Sequence, residues 1–195
     1  MNMNTKTRKL ALNGLFIAFI LLLGLTPLGM IPLPWIKISI LSIPVAVGTL
    51  VLGLPSGLIL GASFATISVL SAFGILGTPS AFAATLVSAS PALAILLSYV
   101  PRLLIPVFVY ETHRLIARNG KKPKLAISCA AAAGSLCNTV FYLGLMLLFY
   151  IILGLDNKSV LAVIGGTGLI GGGCEAIAAV LIVTPVTLAI QKINK

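Results

Sequence analysis

From Leu125 to Leu153 the chain reads LAISCAAAAGSLCNTVFYLGLMLLFYIIL. The run holds no acidic or basic side chain and exceeds the roughly 20 residues that cross the hydrocarbon of a bilayer. Similar apolar runs, divided by Gly and Pro, lie near 10–28, 38–54, 57–75, 83–116 and 172–190. Of the 195 residues 59% are apolar and 8% charged, with a mean hydropathy of +1.17, a surface that water would not tolerate at this length. The expectation is an all-α integral membrane protein: one domain over residues 1–195, a six-transmembrane-helix bundle with residues 1–9 as a cytoplasmic tail. Little chain is left over for a soluble domain such as an ATPase.

Two of these runs are too long for a single crossing. Residues 83–116 would extend about 51 Å as one helix against a core of about 30 Å, so Pro91, Pro101 and Pro106 are expected to kink or interrupt it. The last run has the same excess, and Gly165, Gly166, Gly168, Gly171, Gly172 and Gly173 mark where it should break, with 159–167 on the outer surface.

The net charge of +10 reads as topology. Lys6, Arg8 and Lys9 precede the first run, Arg114, Arg118, Lys121, Lys122 and Lys124 separate the fourth from the fifth, and Lys192 and Lys195 end the chain. Lys37 and Lys158 alone fall in the alternate loops, so the positive-inside rule puts both termini in the cytoplasm. Without aromatic interleaving these bases do not suggest a nucleic-acid partner. Cys129 and Cys137 stand about 12 Å apart along one helix and Cys174 lies elsewhere, which offers neither a local disulfide nor a metal pair.

Ionisable groups within hydrocarbon are costly and mark pathways, binding sites or internal pairs. Arg102 and Glu175 are such groups. Measured from the cytoplasmic ends at 1.5 Å per residue, Arg102 lies about 18 Å up, Asn138 about 21 Å and Glu175 about 22 Å, so three polar side chains on three helices converge on one depth. Two readings stay open: an Arg102–Glu175 pair bracing the bundle, or direct contact with a bound molecule. Asn138, Thr139 and Tyr142 share a helix face and serve either interhelical hydrogen bonds or the same molecule. Between the first two runs, Thr26-Pro-Leu-Gly-Met-Ile-Pro-Leu-Pro-Trp35-Ile-Lys37 is stiffened by its prolines. Trp35 is either an interfacial anchor or, with Lys37, part of a lid. Ala11, Gly14 and Ala18 form a small-residue stripe that lets another helix approach closely.

Catalysis finds no footing. Gly166-Thr-Gly168-Leu-Ile-Gly171 fits the dinucleotide pattern, but no strand pattern precedes it and no acid follows at the required distance. His113 sits among bases at the cytoplasmic rim, and no H-E-x-x-H, G-x-S-x-G or Walker A sequence occurs. No catalytic residue, metal ligand or cofactor of its own is assigned to this chain. A channel would spread polar groups along a path, a secondary transporter would show internal repeats, and a purely structural protein would have no need of Arg102 and Glu175 in hydrocarbon.

Several stretches together carry a resemblance: Leu23-Gly-Leu-Thr-Pro-Leu-Gly-Met-Ile-Pro-Leu-Pro, Ile43-Pro-Val-Ala-Val-Gly-Thr-Leu-Val-Leu-Gly with Pro55-Ser-Gly57, Tyr99-Val-Pro-Arg102, Gly134-Ser-Leu-Cys-Asn138-Thr and Glu175-Ala-Ile-Ala-Ala. Over nearly its whole length the chain resembles the substrate-binding S components of energy-coupling factor (ECF) vitamin transporters, most closely the pantothenate type. The resemblance implies a vitamin held near the outer side beneath the loop after the first span. It further implies a transmembrane coupling subunit and two cytoplasmic ATPase subunits that use ATP, and reorientation of the whole S component in the plasma membrane of a prokaryote. Ala11, Gly14 and Ala18 match the family's Ala-x-x-x-Ala docking motif, with Gly14 replacing an alanine. Arg102 suits pantothenate's carboxylate and Asn138, Thr139 and Tyr142 its hydroxyls and amide, while Glu175 suits an anion less well. S components for pyridoxine, hydroxymethylpyrimidine or riboflavin are the alternative.

Overall fold

Backbone amides and carbonyls in hydrocarbon have no water to bond, so a chain of apolar runs must satisfy them within helices. The computed structural model describes residues 5–26, 29–32, 37–118 and 123–193. Its elements are α1 (Thr5–Leu25), β1 (Met30–Pro32), β2 (Lys37–Ser39), α2 (Ser42–Leu52), α3 (Leu54–Ala72), α4 (Ala81–Ala89), α5 (Pro91–Arg118), α6 (Pro123–Ile152), α7 (Asn157–Val163), a π-helical turn (Ile164–Gly168) and α8 (Leu169–Ile193). By length and composition five of the described helices can cross a membrane: α1, α3, α5, α6 and α8. This is the helical membrane architecture that the apolar runs require. Large apolar side chains face outward on it, Val140 64%, Ile177 62% and Leu181 68% exposed, as a lipid-facing surface demands.

The second expected span is the exception to the length rule. Instead of 38–54, α2 runs only from Ser42 to Leu52, about 16 Å, because residues 37–39 pair with 30–32 as a short antiparallel hairpin. Gly53, at φ +93°, then turns the chain directly into α3, a conformation that a side chain would resist, with Pro55 in the first turn of the new helix. Nine of the eleven α2 residues are buried, and Val45, Ala46 and Val47 sit in the centre of the main core with Ile20, Leu60, Phe64, Ile105, Ile127 and Val183. A second core joins α4 to α5, α6 and α7 through Phe82, Leu86, Leu97, Met146, Phe149 and Val160.

The long fourth run breaks once, at Pro91. Ser90 is extended (φ −157°, ψ 98°), the conformation favoured before proline, and Pro91 opens α5 as its first residue. Pro101 and Pro106 stay inside α5. The glycine-rich stretch does not end a helix as expected. It widens into the π turn of 164–168 and runs on into α8 from Leu169, three residues before the expected start. Gly166 and Gly168 belong to that turn and Gly171 to α8, a helical setting unlike a dinucleotide loop. Outside the long helices, Asp156 caps α7, accepting from the amides of Lys158 (3.2 Å) and Ser159 (3.4 Å) and from the Ser159 hydroxyl. That hydroxyl bond, foremost, holds the Asp156 carboxyl below its ordinary range.

Candidate functional site

A proline inside a helix removes the N–H that its i−4 carbonyl would accept. Pro101 thus leaves the Leu97 carbonyl free, and Nη1 of Arg102 donates to that oxygen at 3.2 Å. Pro106 does the same to the carbonyl of Arg102 itself, and Gly61 of α3 packs against this oxygen, where an added Cβ would lie 2.8 Å away. The two prolines and one glycine therefore set the position of the arginine.

The Arg102 side chain is 7% exposed. Its guanidinium carbon lies 5.2 Å from the centroid of Phe64 on α3 and 4.6 Å from that of Tyr142 on α6, both cation–π distances. Nε has no hydrogen-bond partner. No ion pair joins Arg102 to Glu175; an ion pair does join Glu111 to Arg114, 3.7 Å, on the exposed end of α5. A buried cation with one carbonyl and two ring faces still has donors to offer an anion.

Arg102 and Tyr142 line a cleft of about 500 Å³, open mouth included, between β2 and helices α3 to α6. The remaining polar wall is hydroxyl: Ser39, Ser68, Ser71, Ser80 and Ser98. Those serines escape a reading of the sequence, because a lone Ser in an apolar helix commonly bonds the carbonyl one turn back, as Ser98 does with Ala94 at 3.0 Å. The i, i+3 spacing of Ser68 and Ser71 was the available signal.

The other expected residues take different places. Glu175 on α8 has both oxygens engaged: Oε1 accepts from the Ser39 amide at 2.9 Å and Oε2 from the Thr139 hydroxyl at 3.2 Å. Neither Glu175 nor Thr139 forms the cleft wall. Asn138 is buried in α6 with Oδ1 unpartnered, and it too stands off the wall. Lys37 lies in β2 opposite Pro32; its side chain, like all of Trp35, lies outside the described residues. Ala11, Gly14 and Ala18 are exposed on α1, and a Cβ at Gly14 would meet nothing within 4 Å, so the described residues leave this stripe uncovered.

A family model described as "ECF transporter, substrate-specific component" matches residues 8–187. The chain belongs to this family. An ECF substrate-specific component is a membrane-embedded, substrate-binding subunit of a transporter, not an enzyme, and membership implies a vitamin-type substrate and an ECF module as partner. No curated protein matches the chain. A buried arginine in a hydroxyl-lined cleft has the chemistry to hold an anionic group, with hydroxyls able to bond the remainder of a small molecule.

Proposed function

We propose that this chain captures pantothenate from the outer side of a prokaryotic plasma membrane and delivers it by reorienting within an ECF complex. One observation carries the substrate: Arg102 is buried at the cleft with no carboxylate at ion-pair distance among the described residues. Pantothenate supplies one carboxylate for the guanidinium fork, and its two hydroxyls and amide suit the serine hydroxyls and Tyr142. Engagement of both Glu175 oxygens by the protein lessens the objection that an acid near the cleft would repel an anion.

The topology proposed is six crossings, by α1, α2, α3, α5, α6 and α8, with both termini in the cytoplasm. Support comes from the ten bases at the chain ends and between α5 and α6, against Lys37 and Lys158 on the opposite side. The partners are a transmembrane coupling subunit, docked on Ala11, Gly14 and Ala18, and two ATPase subunits that supply ATP hydrolysis. The uncovered state of that stripe favours this docking face.

The test is mass spectrometry of small molecules that copurify with the solubilised chain, followed by titration of pantothenate into the stripped protein. Saturable tight binding by the lone subunit supports the reading. Copurification of another vitamin with no response to pantothenate replaces the ligand and keeps the family.

A further inference from the structure

The hairpin's register turns the Ser39 amide out of its own ladder. Ile40 donates its N–H to the Gly29 carbonyl at 3.0 Å, and the register then pairs Met30 with Ser39 and Ile31 with Ile38. Bonded and non-bonded pairs alternate in an antiparallel ladder, so Met30–Ser39 is a non-bonded pair and the Ser39 N–H turns away from β1. An unpaired strand amide is costly at a buried position in a membrane protein. Ser39 is buried, and its amide is taken by Oε1 of Glu175, 136 positions further along the chain. Ser39 is also where the hairpin enters the wall of the Arg102 cleft. Thr139 fixes the second carboxylate oxygen, and Gly172, one turn before Glu175, admits Thr139 so closely that a Cβ there would lie 2.8 Å from its methyl.

We propose that Glu175 is a positioning residue, which clamps the hairpin onto the cleft through the Ser39 amide and does not itself touch the captured molecule. The inference rests on the Arg102 cleft being the capture site. What the clamp requires is an acceptor at Oε1 and a partner for Thr139, and glutamine offers both. In Glu175→Gln the amide oxygen accepts from Ser39, and the NH₂ donates to the Thr139 oxygen while that hydroxyl turns to the Ser135 carbonyl, 3.4 Å away.

The experiment uses the full chain in lipid nanodiscs, with hydrogen exchange read over residues 37–41 and pantothenate binding and release read by stopped flow. Glu175→Ala should accelerate exchange at Ser39 and pantothenate release by about tenfold or more, with α6 and α8 as protected as before. Glu175→Gln should stay within about threefold of wild type in both readouts. Thr139→Val, which keeps the carboxylate and frees one oxygen, gives a smaller rise at Ser39 and serves as the second probe where Glu175→Ala fails to fold. Unchanged exchange at Ser39 in Glu175→Ala and Thr139→Val overturns the clamp. So does a Glu175→Gln variant with normal exchange but altered pantothenate affinity, because the charge then acts on capture itself, at the ligand or through the neighbouring Arg102 cation, and not through the clamp. If the wild type binds no pantothenate, the substrate reading fails, and exchange at Ser39 still decides the clamp.

Discussion

Arg102 concentrates the chemistry of this protein. Its guanidinium reaches a carbonyl that Pro101 leaves free and lies between the rings of Phe64 and Tyr142, an arrangement that depends on a planar, delocalised cation. Replacing it with alanine should weaken pantothenate binding at least about tenfold, the value of a charge-assisted hydrogen bond to a carboxylate, while the fold survives. Lysine should restore little, since an ammonium keeps the charge and loses the fork and the stacking. Calorimetric titration alongside a melting curve checks both variants, and unchanged affinity in Arg102→Ala removes the residue from the site. The sequence exposes Arg102 because a base within an apolar run has few innocent explanations. It exposes Glu175 for the same reason and yet conceals its role, because the partner is a backbone amide 136 positions distant. The serines of the cleft are invisible individually, since the same residue type bonds its own helix just as well.

At the scale of elements, close approach of α3 and α5 decides where Arg102 sits. An alanine at Gly61 would put its Cβ 2.8 Å from the Arg102 carbonyl, and that oxygen is backbone, so the helices must part. Gly61→Ala should cost about 1–3 kcal/mol of stability and weaken pantothenate binding as the arginine shifts, whereas Gly14→Ala, with nothing within 4 Å, should leave the melting temperature unchanged. Equal melting curves for the two variants would sink the packing argument. At α7 the sign of the pH effect follows from Asp156. Its carboxyl is held below the ordinary range, so the cap is intact above the unfolded value and is lost as pH falls through the folded one. Protection factors over 157–163, which correct for the intrinsic pH dependence of exchange, should therefore hold at neutral pH and fall only in strong acid, and Asp156→Ala should show the lower protection already at neutral pH. Proline positions were readable and their effects were not. Pro91 ends a helix because Ser90 takes the extended conformation favoured before proline, while Pro101 and Pro106 lie in the packed middle of α5, where Arg102 and Gly61 meet the freed carbonyls.

The whole molecule divides into a buried bundle and one peripheral helix. Apolar patterning reveals that a bilayer is the solvent, but it does not show that the second run is helical over only about 16 Å, because a buried helix of any length is apolar on every side. Nor does it separate α1 from the others, although in α1 only Ile20 is fully buried, with Phe16, Ile17 and Leu23 half-buried against the core and a 3.1 Å bond from Asn13 to Ser56. Its Ala11, Gly14 and Ala18 stripe is exposed, a Cβ at Gly14 meets nothing within 4 Å among the described residues, and a side chain added there tests docking without touching the cleft. Gly14→Leu should bind pantothenate as wild type does when the subunit is alone, because α1 contributes no residue to the cleft wall. In the assembled transporter the leucine should hold the partner helix away from close contact, so copurification with the coupling subunit and pantothenate uptake should both fall by about tenfold or more. Uptake unaffected by Gly14→Leu would move the docking face elsewhere. Loss of binding by the lone subunit would mean that α1 shapes the cleft after all, and only loss of uptake with binding preserved separates the capture surface from the docking surface.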